Sequence, residues 1–409
     1  MLVVRMSSPF SEIHGGITAA QGFVASGAYC GIKEGNESKQ DLALIFSRSP
    51  GVAAATFTTN RVKAAPVRVS AAHLRSVHAN AIIANSGNAN ACTGCIGIDH
   101  AKRMARAAAK ALGIKERQVM VCSTGRIGVE LPITKMEKSI AKMPMTLQRD
   151  GSTKAARAIM TSDTFPKEIA VEIGIDRKKV RIGGIAKGAG MINPNMATML
   201  CFLSTDAAIG KKDLQRVLGI AVEQSFNRIT IDGDMSTNDT VILLANGLAG
   251  NQPLKSAQPA FKIFQNALNY VTARLAHMIV EDGEGVSKFV EVQVKGAATF
   301  QDARMASEAV AGSTLVKCSW YGGDPNWGRI MDALGYSGAR MREEMVDIYY
   351  DGVIAVRCGM ASKTPTTKLR QVVAKDRIKV MIDLQMGSAE YTVFTTDLTT
   401  RYVEFNMGE

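Results

Sequence analysis

The chain has 409 residues, 46% apolar, 21% charged and only 6% aromatic, a globular composition that excludes a disordered, collagen-like or mucin-like protein. Its 49 basic and 37 acidic residues leave a net +12, but the cations are dispersed, with Arg177, Lys178, Lys179 and Arg181 the densest run. That distribution, poor in aromatics, argues against a nucleic-acid groove and suits anionic small molecules.

No stretch approaches the roughly 18 uninterrupted apolar residues that span a bilayer, so no membrane partner is expected. The first ten residues are poor for a signal or transit peptide, and seven scattered Cys suit reduced thiols, so the expected location is cytoplasmic. In chain order, the apolar runs at 42–46 and 81–84 read as buried strands, followed at 85–88 by a turn-rich Asn-Ser-Gly-Asn. Residues 99–112, rich in Ala, Lys and Arg, open on a capping Asp and stop at Gly113, which predicts a helix. An apolar strand at 119–121 runs into the glycine turn Cys122-Ser123-Thr124-Gly125. Beyond it the pattern predicts strands at 198–203 and 240–244 and helices at 212–226 and 260–280. Strands at 378–384, 391–394 and 402–405 complete the chain. Strands mixed with long helices, without regular βαβ alternation, indicate an α+β layered sandwich. The Gly- and Pro-rich stretch 183–195 is the natural boundary by pattern.

That stretch also holds the chemistry. Residues 183–206 read GGIAKGAGMINPNMATMLCFLSTD, a glycine loop that meets an apolar strand at Thr198. A threonine hydroxyl needs a base, and the most compact one is its own α-amine once the preceding peptide bond is cut. A free α-amine, with a pKa of about 7.7–8.0, is partly neutral at working pH. By itself an Ala197-Thr198 pair is ordinarily just a strand start.

The segment KGAGMINPNMATML (187–200) resembles the self-cleavage segment of the ornithine acetyltransferase family, the bifunctional glutamate N-acetyltransferases of arginine biosynthesis. So do GGITA (15–19), FTTNRVKAAP (57–66), ANSGNANACTG (84–94) and DPNWGR (324–329), in the family's order and over nearly the whole chain. The resemblance implies the family's α/β/β/α sandwich, similar to but distinct from that of the Ntn hydrolases. It implies self-cleavage between Ala197 and Thr198, giving an N-terminal chain 1–197 and a C-terminal chain 198–409 that starts with the nucleophile. Two copies of each chain would form a heterotetramer.

Thr124 and Gly125 match the family's oxyanion hole; on composition they are a plain strand-end turn, yet a hydroxyl beside a glycine amide supplies two donors. Thr161, Lys187, Thr198, Glu284 and Asn406 match its substrate contacts. Without the resemblance, Thr161 would be a turn residue, Lys187 a solvated lysine and Glu284 an exposed turn acid, although a carboxylate there suits the amine of ornithine. The chain departs from the family at its end, stopping at Glu409 where the family tail continues to a further hydroxyl contact. The implied substrates are acetylornithine and glutamate, with no metal or organic cofactor. Both a monofunctional version and one that also takes acetyl-CoA as co-substrate fit these motifs.

Two other patterns in the sequence resemble metal-binding motifs. Cys92 and Cys95 have CxxC spacing but no second pair follows, which is weak for zinc or redox use. Asp232-Gly233-Asp234 opens like a calcium loop, but Thr237 and Leu243 stand where Gly and Glu are needed, so it reads as a structural loop near the site. The rival functions are an N-terminal-nucleophile aminopeptidase or amidase, and an uncleaved small-molecule-binding protein on the same scaffold.

Overall fold

The computed structural model describes residues 10–33, 35, 39–193 and 199–407. These fall into two compact units, one of residues 10–188, 199–227 and 235–279, the other of 189–193, 228–234 and 280–407. The expected boundary is not where the chain divides: residues 183–187 belong to a strand, residues from Ala189 make only a short passage into the second unit, and the chain enters that unit for good at Val280.

The first unit contains β1 (Phe10–Ile13), β2 (Phe23–Ala28), β3 (Leu42–Phe57), α1 (Ala65–His73), β4 (Ala79–Asn88), α2 (Gly94–Leu112), β5 (Val119–Arg126) and α3 (Ile133–Ile140). It continues with α4 (Ser152–Ile159), β6 (Lys167–Ile175), β7 (Lys178–Lys187), β8 (Leu200–Thr205), α5 (Lys211–Glu223), β9 (Thr240–Ala245) and α6 (Pro259–Glu281), of which the last two residues count with the second unit. β3 is the hinge of its sheet. Residues 42–46 pair with β2 and β4, residues 52–57 pair with β9, and Pro50-Gly51 sits where the register breaks, as proline in a strand requires. The two halves, β2-β3-β4-β5 and β1-β6-β7-β8-β9-β3, enclose one core.

Strand alternation builds the layers. Ala43, Ile45, Ile82, Ala84 and Met120 of one half share a core with Ala53, Ala55, Ile185, Phe202 and Ile242 of the other. The opposite faces, Leu42, Leu44, Ile83 and Val121, pack on Val69 of α1, Met104 of α2 and Met136 of α3. On the far side α5 covers β3 and β9, and Leu275 of α6 sits against Gly184. This is the α/β/β/α order that the resemblance implied.

The second unit contains β10 (Phe289–Ala297), α7 (Phe300–Gly312), α8 (Thr314–Tyr321), α9 (Trp327–Tyr336), β11 (Asp347–Tyr350), β12 (Val353–Arg357) and β13 (Met360–Ala361). It ends with α10 (Thr366–Val373), β14 (Arg377–Asp383), β15 (Ala389–Thr396) and α11 (Thr400–Phe405). Its sheet runs β13-β12-β11-β14-β10-β15. One face, with Val290, Val292, Val380 and Val393, packs on Val310, Trp320 and Leu334 of α7–α9. The other is polar, with Lys379–Glu291 and Lys295–Asp383 paired at 2.7 and 3.2 Å.

Three expectations need correcting. Residues 85–88 are not a turn but the end of β4, because their polar side chains are satisfied internally: Ser123 Oγ donates to Asn85 Oδ1 at 2.6 Å and Ser86 Oγ to Ala158 O at 2.7 Å. α2 begins at Gly94 rather than at residue 99, although Gly113 ends it in the left-handed conformation as expected. Residues 402–405 are not a strand but belong to α11, whose first turn is capped by Thr399. Among the described residues no helix is long and apolar enough to cross a membrane.

Candidate active site

β4 and β5 run parallel and end side by side, Ser86 opposite Thr124 and Gly87 opposite Gly125. Gly125 has φ +130°, and a Cβ there would lie 2.3 Å from the Gly87 carbonyl carbon and 2.4 Å from the Asn88 nitrogen, so only glycine fits. Thr124, just before it, is 2% exposed. Lys187, the last residue of β7, is equally buried and donates from Nζ to Thr124 Oγ1 at 3.4 Å.

Asp163 ties this lysine into a charge cluster. Its Oδ1 accepts Lys167 Nζ at 2.6 Å and the Gly188 N–H at 2.8 Å, and its Oδ2 accepts the Thr161 N–H at 3.0 Å. Burial alone would raise the Asp163 carboxyl, but the Lys187 and Lys167 ammonium groups and the Gly188 amide outweigh it and hold the group at about 2. Lys33 donates to the carbonyls of Gln40 and Met160 at 2.9 and 2.8 Å. Burial brings its ammonium down to about 8, and its charge feels both Asp163 and Lys187. The Lys187 and Lys33 ammonium groups of this cluster suit a carboxylate or a developing oxyanion.

Carboxylates also fix the chain on either side of residues 194–198. In the second unit Asp232 accepts the N–H groups of Met191 and Ile192 at 2.5 and 2.8 Å. In the first, the fully buried Asp239 accepts the Met199 N–H at 2.8 Å, and Thr240 donates back to the Met199 carbonyl at 3.1 Å.

The second unit brings Glu284 and Asn406 together. Asn406 Nδ2 donates to Glu284 Oε2 at 3.1 Å, and the Glu284 N–H donates to Ala189 O at 2.9 Å. The carboxylate lies on the backbone of Gly190, where a Cβ would come within 2.4 Å of it. Tyr402 of α11 donates to Asp232 at 3.3 Å, and burial, with Asp232 and Glu284 nearby, pushes its phenol up.

Thr124, Gly125, Thr161 and Lys187 thus share one polar cluster, and Glu284 and Asn406 share another. Ala197 and Thr198 lie outside the described residues. Sequence reasoning missed Lys33, Asp163, Lys167, Asp239 and Tyr402, whereas the Asp232 loop was expected near the site. The available signal was the density of Asp in the TSD and DGDMSTND segments, beside the motifs already singled out. Cys92 and Cys95 stand exposed at the start of α2, and among the described residues no three His, Cys, Asp or Glu side chains gather as a metal set.

Fold and site together define an α/β/β/α protein with a charged internal cluster at the carboxyl ends of β5 and β7. More specifically, the chain belongs to the ArgJ family, whose profile matches residues 24–408, and the resemblance drawn from its motifs is borne out. It is 47% identical over 392 residues to the arginine biosynthesis bifunctional protein ArgJ of Symbiobacterium thermophilum, covering 96% of this chain and 98% of that one. To the glutamate N-acetyltransferase of Methanocaldococcus jannaschii it is 47% identical over 406 residues, with the same coverage of 96% and 98%. A solved ArgJ structure from Bacillus halodurans aligns with 51% of this chain and 98% of its own, at 38% identity and a TM-score of 0.49.

Proposed function

We propose that this protein is an acetyltransferase that cuts itself between Ala197 and Thr198 and then carries an acetyl group from N2-acetylornithine to glutamate on Thr198. The Thr198 hydroxyl, deprotonated by its own freed amine, attacks the acetyl carbonyl. Thr124 Oγ1 and the Gly125 N–H hold the oxyanion, and collapse expels ornithine. The glutamate amine then attacks the acetyl-threonine and regenerates the hydroxyl. Lys187 and Thr161 receive anionic oxygens of the substrates, and Glu284, steadied by Asn406, receives a substrate ammonium.

In this reading no metal or organic cofactor takes part, and acetyl-CoA serves as a second acetyl donor. The working form is a heterotetramer of two chains 1–197 and two chains 198–409 in the cytoplasm. What carries the reading is the buried Thr124 hydroxyl, with Lys187 Nζ at 3.4 Å and a glycine amide next in sequence, in a chain of this family.

The test is intact-mass analysis after incubation with acetylornithine. The fragment starting at Thr198 should gain one acetyl group and lose it, as N-acetylglutamate, when glutamate is added. Release of free acetate in place of that transfer would point to the amidase chemistry instead, and no acetyl gain at all would sink the mechanism.

A further inference from the structure

Thr161 lies just past the end of α4, and a short hydroxyl there meets a substrate reproducibly only if its backbone is held. The peptide unit that joins Met160 to Thr161 is fastened at both ends. Its carbonyl accepts Lys33 Nζ at 2.8 Å, and its N–H donates to Asp163 Oδ2 at 3.0 Å. The unit is planar, so fixing both ends fixes its orientation. Just before it, the Ala158 carbonyl accepts Ser86 Oγ of β4 at 2.7 Å.

Lys33 belongs to the loop after β2, and that loop is itself held by a carboxylate. Asp41, fully buried just before β3, accepts the N–H groups of Cys30, Gly31, Ile32 and Lys33 at 2.7, 3.1, 2.7 and 3.3 Å. Amides converging on one carboxylate in this way fix the backbone from which the lysine departs. Its stem passes over Gly87, where a Cβ would come within 2.9 Å of Ile32 Cγ2 and 3.2 Å of Lys33 Cγ. Gly87 stands opposite Gly125 in the ladder. Lys33 therefore starts against the strand ends that carry Thr124 and Gly125 and finishes on the peptide that carries Thr161.

A surface lysine ordinarily lays its methylenes on apolar neighbours and leaves its ammonium in water. Lys33 instead gives its ammonium to two backbone carbonyls, that of Gln40 at 2.9 Å and that of Met160. Desolvation brings the group down to about 8, with Asp41 and Asp163 opposing the fall and Lys39 and Lys187 adding to it.

On the reading that Thr161 contacts substrate and that Thr124 and Gly125 hold the oxyanion, we infer that Lys33 is a positioning residue that sets the spacing between them. It acts through Thr161. The stem registers on the end of β4 and the ammonium on the Met160 carbonyl, so Thr161 stands at one distance from the oxyanion turn. Without the ammonium, Asp163 holds the peptide by its N–H alone and the unit is free to turn about that bond. Ground state and transition state both meet Thr161, so the loss weakens both alike and falls on KM rather than kcat.

The experiment measures N-acetylglutamate formation by the full protein for wild type, Lys33→Met, Lys33→Arg, Thr161→Ala and the double variant Lys33→Met with Thr161→Ala. Lys33→Met keeps the stem and removes the donors, so KM for acetylornithine should rise about 10-fold, the scale of one hydrogen bond to a charged group, with kcat changed by less than about threefold. Lys33→Arg restores a cationic donor and should recover most of the loss. Thr161→Ala should raise KM by itself, and adding Lys33→Met to it should change little more, whereas a lysine that only stabilised the fold would give effects that multiply. Should the methionine variant precipitate, Lys33→Gln, whose shorter side chain stops short of Met160, takes its place with the same expected rise. An unchanged KM in Lys33→Met, an arginine variant no better than the methionine variant, or effects that multiply in the double variant would each overturn the role given to Lys33. A wild type that makes no N-acetylglutamate, or a Thr161→Ala variant with unchanged KM, would instead refute the reading on which the inference rests.

Discussion

Asp163 and Lys167 form an ion pair in which neither side chain meets solvent, and the same carboxylate accepts two backbone N–H groups, from Thr161 and Gly188. Removing the charge from Asp163 would leave Lys167 buried without its carboxylate, the situation in which breaking an ion pair costs about 3–5 kcal/mol. Asp163→Asn should lower stability to denaturant on that scale. The pH dependence has a definite sign. The folded carboxyl lies at about 2, below an unfolded reference of about 3.9, so its stabilisation is complete above that reference and is lost as pH falls toward the folded value. Unfolding titrations of wild type between about pH 5 and pH 2 should show this loss, and those of Asp163→Asn should show a shallower slope. Equal slopes would mean that the pair carries no such linkage. The same residue bears on function, since its carboxylate lies where Lys187 feels it and Lys187 meets Thr124.

α11 is six residues long, too short to hold together by its own backbone bonds in water. It persists because Thr399 Oγ1 accepts the Tyr402 N–H at 3.2 Å and donates to the Gly285 carbonyl at 2.7 Å, and because Tyr402 reaches Asp232. Thr399→Ala should cost about 1 kcal/mol at the cap and loosen the helix that carries Asn406, the partner of Glu284. The expected signature is faster amide exchange through 402–406 with exchange in β10 and β14 unchanged, together with a raised KM for acetylornithine at nearly constant kcat. A fall in kcat alone would contradict a binding role for this element.

Legibility from sequence follows the same physics. Helices α2, α5 and α6 and strands β8 and β9 were readable because apolar periodicity and a stop such as Gly113 are local signals. α11 was misread as strand because Tyr402, Val403 and Phe405 favour strands, whereas the contacts through Thr399 and Tyr402 that decide in favour of helix come from residues far along the chain. The polar end of β4 was misread because its Asn and Ser look like turn residues until Ser123 and Ala158 are seen to satisfy them. At the site, motif resemblance picked out Thr124, Lys187, Glu284 and Asn406, while Asp163 and Asp239 stayed hidden because burial, not residue type, makes a carboxyl unusual.

At the scale of the molecule, the proposed cut falls between two strands that stay paired. β7 and β8 run antiparallel from Lys187↔Leu200 to Ile182↔Thr205, and β9 pairs onward with β3 from Phe57↔Thr240 to Val52↔Ala245. In the sheet order β7-β8-β9-β3, the C-terminal fragment therefore supplies two strands inserted between strands of the N-terminal fragment. Pulling the fragments apart would break both ladders and expose Phe202, Leu203 and Ile242, all fully buried, at about 1.5–3 kcal/mol each. A cut chain should accordingly elute from size exclusion as one species in native buffer and resolve into two fragments only under denaturing conditions. Fragments that part in native buffer would contradict either this strand order or the position of the cut, and amino-terminal sequencing of the C-terminal fragment would say which. If it begins at Thr198, the strand order is at fault; if it begins elsewhere, the cut has been misplaced.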